Sequence, residues 1–285
     1  MRSSIFSLIA VTMGAGMLTL PYVISLNGVV WGSFLIIFGG LLSYFSGSLL
    51  VKCTELTGKY SYEEIAKSAF GSRVQYVVSL IFILSMSSYI IAYMTLFKTL
   101  FPQFLENSFH SVPYFLRKNE VGLFIYTTFF SFVIVLPLSI PRELSSMRFA
   151  AVLSVVCSVT VTTTIVLEFF TNKDLVPDPA DNLHNADLAI FDTQSLTIAL
   201  PFVFFLYLFQ MNIPQTYSEL SLRNQSRMDK VVFRVSTFSF LFYVTLGVFG
   251  YLTFSQNLQQ LQAPSRSTNI LEADYQGAVL ISVSQ

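Results

Sequence analysis

The sequence predicts an all-α integral membrane protein, and three observations predict it. Of 285 residues, 53% are hydrophobic and 11% charged, with a mean hydropathy of +0.64; soluble domains carry about 25% charged residues. Residues 3–51 contain no Asp, Glu, Lys or Arg, although one helical bilayer crossing needs only about 20 apolar residues. Further charge-free stretches of similar length follow, not the ~10-residue alternating segments of a membrane barrel. A soluble enzyme and a disordered chain are excluded together. A disulfide scaffold is excluded as well, because two cysteines cannot build one. Sixteen Lys and Arg balance sixteen Asp and Glu, so nothing points to nucleic acid as a partner. The lipid bilayer is the partner this composition demands.

In chain order, the first charge-free run is long enough to cross twice, and Asn27-Gly28 supplies the turn. It holds spans at residues 5–25 and 29–51. Later spans fall at 74–97, 121–141, 149–167, 193–218 and 235–254, each long enough at ~1.5 Å per residue to cross ~30 Å of hydrocarbon. That makes seven complete helices, and residues 277–283 read as the start of an eighth. Arg2 ahead of an apolar stretch resembles a secretory leader. The apolar pattern, however, continues through Leu18 and Leu20, longer than a leader's core.

Orientation follows from the Lys and Arg of short loops. With the N-terminus in the cytosol, the inner segments hold eleven of the sixteen basic residues, among them Lys52, Lys59, Lys67, Arg73, Arg223, Arg227, Lys230 and Arg234. The outer loops hold five: Lys98, Arg117, Lys118, Lys173 and Arg266. The sequon Asn224-Gln225-Ser226 then lies inside, so no N-glycan is expected. Seven-helix receptors, the alternative from another class of function, normally run the opposite way and carry an Asp-Arg-Tyr type motif that is missing after the third span. A plasma membrane and a vacuolar or lysosomal membrane both suit the composition.

Two spans carry signs of interruption. In the first, Gly14-Ala15-Gly16 lies about halfway along and Pro21 follows. Glycine weakens a helix and admits close approach to the backbone. Unwinding there frees N–H donors suited to a carboxylate and carbonyls suited to an ammonium or a metal cation; close packing of small residues is the competing explanation. In the sixth, Pro201 and Pro214 bracket Phe204-Phe205-Leu206-Tyr207-Leu208-Phe209-Gln210. Paired interruptions at corresponding positions of two repeats mark the central site of a transporter, whereas an aromatic run by itself reads as packing surface.

The remaining spans carry less. Ser85, Ser87, Ser88, Tyr89 and Tyr93 line part of the third, suited to a substrate or a neighbouring helix. Thr160, Thr162, Thr163 and Thr164 in the fifth are expected to bond back to their own helix. Cys157 reads as a small buried hydrophobe. His110 and His184 lie in loops without metal-ligand spacing, and no catalytic constellation, phosphate loop or cofactor motif appears. No Asp, Glu, Lys or Arg falls at mid-depth in a span, which favours a zwitterionic or neutral solute.

Four stretches resemble the amino acid/auxin permease family, whose members share the fold of the bacterial sodium-coupled leucine transporter. They are Gly14-Ala15-Gly16-Met17-Leu18-Thr19-Leu20-Pro21-Tyr22; Ser61-Tyr62-Glu63-Glu64-Ile65-Ala66 through Phe70-Gly71; Leu136-Pro137-Leu138-Ser139 with Arg142-Glu143-Leu144; and the sixth span running into Tyr217-Ser218-Glu219-Leu220. Gly250-Tyr251-Leu252-Thr253-Phe254 and Asn269-Ile270-Leu271 extend the resemblance along the chain.

The resemblance implies one transporter domain over residues 1–285: an inverted-repeat bundle with a first five-helix repeat at about 1–170 and a partial second at about 193–285. It implies transport of small neutral amino acids by alternating access. The substrate's carboxylate and amine would meet Gly14, Ala15 and Gly16, Phe204, Phe205 and Tyr207 would shape its side-chain pocket, and Ser88 and Tyr93 would assist. No cofactor is implied, and coupling stays open between H+, Na+ and uncoupled exchange. Two positions depart from the family: Gln210 stands where many relatives have His, and Ala10 where sodium-coupled relatives have Asn. The family fold needs two five-helix repeats, so the alternative expectation is a fragment that does not transport, or one that works with a partner chain.

Overall fold

The computed structural model describes residues 2–108, 120–140, 148–173, 176, 179–184, 186–220 and 223–261. Several sequence expectations lie outside these residues: the start of an eighth helix, Arg142-Glu143-Leu144, Asn269-Ile270-Leu271, His110, and the outer-loop basic residues Arg117, Lys118 and Arg266. The described residues are mostly helical and contain no strand. This is the outcome that backbone hydrogen bonding dictates for apolar runs without water.

The described residues of Met1–Ser61 and Arg148–Val279 form one unit and those of Tyr62–Met147 a second. Helices α1 (Arg2–Thr12), α2 (Leu20–Asn27) and α3 (Val29–Thr57) open the first unit. Helices α4 (Tyr62–Phe70), α5 (Ser72–Ser108), α6 (Glu120–Phe130) and α7 (Leu136–Ser139) make up the second. The first unit resumes with α8 (Arg148–Thr171), α9 (Pro179–His184), α10 (Thr193–Leu206), α11 (Ile213–Ser218) and α12 (Gln225–Leu261).

Among the described residues, five helical segments are long and apolar enough to cross a membrane: Val29–Thr57, Ser72–Pro102, Phe149–Thr171, Thr193–Ser218 and Gln225–Phe254. Ser4–Thr12 with Gly16–Asn27, bent by 44°, makes a sixth. The expected fourth span holds a shorter apolar helix, Val121–Val135. Within it Ser131–Val135 widens to π geometry just before Pro137. A proline lacks the donor and crowds the carbonyl four residues back, and a wider turn relieves both. Several helices outrun the expected spans. For α12 the extension includes Arg227, Asp229, Lys230 and Arg234, and Asn224 caps it by accepting from the Ser226 N–H at 2.9 Å.

In the second unit, α4 carries Glu63 and Glu64 in its first turn and Lys67 in its last, the order that complements its dipole. Helix α5 meets α6 through stacked rings, with Phe97 and Phe130 centroids 3.8 Å apart and Tyr126 alongside.

In the first unit, α3 turns a face of small residues inward. A Cβ at Gly39 would lie 2.5 Å from Val203 Cγ1, and one at Gly47 would lie 2.9 Å from Val232 Cγ1. Helices α10 and α12 approach there because nothing but hydrogen projects. The turn at Gly28 has φ +80°, and residues 187–190 close over it. Val29 and Val30 donate to the Asp187 and Leu188 carbonyls, both at 2.8 Å, and Ile190 donates to Asn27 at 2.9 Å. A Cβ at Gly28 would strike the Ala189 backbone at 2.7 Å. The same loop ends at Asp192, whose carboxylate accepts from the N–H and hydroxyl of Ser195 and caps α10. These bonds hold the Asp192 carboxyl below the usual carboxylate range.

Two buried clusters fill the unit. One gathers Met17, Leu20, Val23 and Ile24 with Val203, Leu206, Tyr207, Tyr243 and Leu246. The other gathers Leu8 and Met13 with Phe209, Ile213, Val232 and Val235. Both expected interruptions lie where these clusters meet.

Candidate functional site

Helix α1 stops at Thr12. Gly14 is extended (φ −96°, ψ 179°), Ala15–Thr19 forms a 3-10 turn, and α2 starts with Pro21 in its first turn. Helix α10 stops at Leu206. Tyr207 leaves helical geometry (φ −102°, ψ 19°), Leu208–Asn212 forms a 3-10 turn, and α11 starts with Pro214 in its first turn. Each break thus has a non-helical residue, five residues of 3-10 turn and a proline-led half-helix, with the proline seven positions after the non-helical residue.

The breaks touch. A Cβ on Gly16 would lie 3.0 Å from Cε1 of Phe205 and 3.4 Å from a Leu206 methyl. Gly16 is therefore closely packed, and its flat surface seats the Phe205 ring. The first donors of a helical turn have no carbonyl one turn behind them within it, and Ala15 and Gly16 hold these first positions of the 3-10 turn.

The carbonyls at the breaks differ from the sequence expectation, which left them for an ammonium or a cation. Hydroxyls of neighbouring helices pair them. Thr12 O accepts from the Gly14 N–H at 2.9 Å and from the Tyr243 hydroxyl. Leu206 O receives the same Tyr243 hydroxyl at 3.1 Å, and Tyr207 O receives Ser43 Oγ at 3.1 Å. A buried carbonyl without a partner costs about 1–3 kcal/mol, and this packing supplies the partners. Met13 O is the exception in quality. Ser154 and Ser158 reach it only at 3.4 and 3.5 Å, beyond the usual range for an O–H donor.

The remaining candidates divide. Phe204 and Phe205 stay exposed, at 46% and 37%. Tyr207 is buried, and its hydroxyl donates to Ile36 O on α3 at 3.0 Å. Its ring lies over Gly39 and Gly40, so here it braces the break against α3. Ser88 and Tyr93 lie on α5 in the second unit, where Ser88 Oγ donates to Leu84 O at 2.9 Å and Tyr93 is half exposed. In α8, Thr160, Thr162 and Thr163 bond back to their own helix as expected. Cys157 is exposed, not buried, because its side of α8 faces away from the clusters.

Three residues were not foreseen at the site: Tyr243, Ser43 and Thr12. Ser236, Ser239 and Tyr243 recur at helical spacing on α12, and Thr12 Oγ1 lies 3.1 Å from Ser239 Oγ. A polar stripe in an apolar helix was the available signal. Gln210 adds to the second break. Its amide donates to Ser43 and Ser46 at 3.0 and 3.2 Å, which is consistent because both serine protons are committed to carbonyls.

Residues 1–271 match the family model described as transmembrane amino acid transporter protein. The chain belongs to this family. Its members are transporters and not enzymes, which agrees with a multi-pass helical chain whose breaks present backbone groups. No solved structure matches the chain.

Proposed function

We propose that the chain binds a small neutral amino acid between its two helix breaks and carries it across the membrane by alternating access, driven by a coupled proton or sodium gradient. The observation that carries this reading is the shared layout of the breaks, Gly14 to Pro21 and Tyr207 to Pro214, with Gly16 against Phe205. Equivalent interruptions in the first and sixth spans are what two inverted repeats, at about residues 1–170 and from 193 onward, place beside one substrate. In this reading the substrate carboxylate takes the N–H groups of Ala15 and Gly16 at the positive end of a helical turn. Its amine takes Met13 O, whose long serine contacts yield to a charged donor. Phe204 and Phe205, both exposed beside the breaks, shape the space for the side chain. The charge bias of the loops sets the N-terminus in the cytosol.

Uptake of radiolabelled alanine, serine, leucine and glutamine into proteoliposomes holding the purified chain tests the reading. We expect uptake of at least one that saturates, is competed by unlabelled substrate, and rises under an imposed pH or sodium gradient. Uptake equal to that of empty vesicles under every gradient would remove it.

A further inference from the structure

We infer that Tyr243 is a positioning residue that ties the two helix breaks into one moving part. This role rests on the transport reading above. Tyr243 lies on α12, outside both interrupted spans, and is fully buried. Its hydroxyl donates to Thr12 O at the last turn of α1 and lies 3.1 Å from Leu206 O at the last turn of α10. A phenol has one proton, so the two carbonyls share it, Thr12 O also accepting from the Gly14 N–H, and displacement of either half-helix changes how that proton is shared with the other. Its ring also meets Tyr207 edge-on, with centroids 5.3 Å apart at 69°, and Tyr207 in turn is bonded to Ile36 on α3. A chain of contacts therefore runs from α1 through α12 to the second break and on to α3.

Apart from the packing of Gly16 on Phe205, further hydroxyl contacts at the breaks reach different walls. Ser154 and Ser158 of α8 reach Met13 in the first break, and Ser43 of α3 holds Tyr207 in the second. Ser43 anchors the second break separately, and the long serine contacts to Met13 O hold the first only loosely. A donor common to both is what makes alternating exposure of a substrate between them concerted, because in an apolar interior an abandoned carbonyl must be paired again before the state is stable.

The test compares wild-type chain and Tyr243→Phe in lipid vesicles by amide hydrogen exchange and by amino acid uptake. In the variant, exchange at residues 13–19 and at 207–212 rises together by about tenfold, the loss expected for one buried hydrogen bond. Ser43→Ala raises exchange at 207–212 alone. Uptake by Tyr243→Phe falls at least about tenfold in maximal rate while KM moves less than about threefold, the pattern of an interaction used in the moving step and not in binding. Exchange that rises at one break only, or at neither, overturns the tether. A raised KM at unchanged maximal rate also overturns it, by making Tyr243 a substrate ligand. Coupled exchange in a wild-type chain that takes up nothing overturns the transport role and the reading beneath it. Should Tyr243→Phe fail to fold, 3-fluorotyrosine at 243, equal in shape and a stronger donor, slows exchange at both breaks together; a one-sided effect sinks the proposal.

Discussion

The two breaks share a layout and differ in what unwinds them. The first is weak by composition, since two glycines within three residues each cost about 1 kcal/mol relative to alanine in a helix. The second contains no glycine. Residues 204–213 read Phe-Phe-Leu-Tyr-Leu-Phe-Gln-Met-Asn-Ile, a run with no intrinsic reason to stop being a helix before Pro214. Its release comes from α3: Ile36 captures the Tyr207 hydroxyl, Ser43 captures the Tyr207 carbonyl, and Gly39 and Gly40 leave room for the ring. The glycines that permit the second break thus sit in a different helix. One break is written into its own segment and the other is imposed by a neighbour.

Substitutions that exploit this difference should rank accordingly. Gly16→Leu has the largest expected effect. A side chain there drives into the Phe205 ring, which a Cβ alone already meets at 3.0 Å, and misplacement of about 1 Å at a reacting or binding group costs on the order of 100-fold. Uptake should vanish while membrane insertion and yield hold. Undiminished substrate affinity in that variant would mean that the glycine pair only packs helices.

Gly39→Val comes next and strikes the second break from outside. Its Cβ would lie 2.5 Å from Val203 Cγ1 and 3.2 Å from the Tyr207 ring, and overpacking of this kind costs about 1–3 kcal/mol. Thermal unfolding in detergent should show a lowered Tm; an unshifted Tm would remove α3 from the account of that break. Ser43→Ala takes away the donor for Tyr207 O and an acceptor for Gln210, at about 1–2 kcal/mol. Combined with Gln210→Ala it should be non-additive by at least about 0.5 kcal/mol, and strict additivity would separate the two residues.

The smallest effect concerns the cap of α10, ahead of the second break. Hydrogen bonds from Ser195 lower the Asp192 pKa in the folded chain. The cap's contribution is therefore present above the ordinary Asp range and is lost as pH falls through that lowered value. Tm measured against pH should fall on acidification with a component absent from Asp192→Asn; identical profiles would dismiss the cap.

The positions of the spans were legible because charge is expensive in hydrocarbon, so 29–51, 149–167 and 193–218 are visible as charge-free runs. Their ends were less so. Helix α12 begins ten residues before the run at 235, because a helix continues past the apolar zone wherever its polar side chains reach water. Gly14 and Gly16 were legible as a weak point. The second break was visible only through its prolines, and the direction of Tyr207 was not visible, because an aromatic residue in an apolar run can face any neighbour. Tyr243 and Ser43 were missed for a related reason: a hydroxyl in a membrane helix normally bonds to its own backbone, as Thr160 does to Val156 O.

Composition and charge spacing alone thus define a helical membrane chain, and the glycine pair marks one fragile point near the middle of its first span, since both follow from costs paid residue by residue; the family likeness rests on the motifs. The partners of the exposed carbonyls and the opening of the second break depend on distant helices. A peptide group leaves its helix in an apolar interior only where packing brings a donor such as Tyr243 or Ser43 within reach, and that proximity is a property of the assembled bundle.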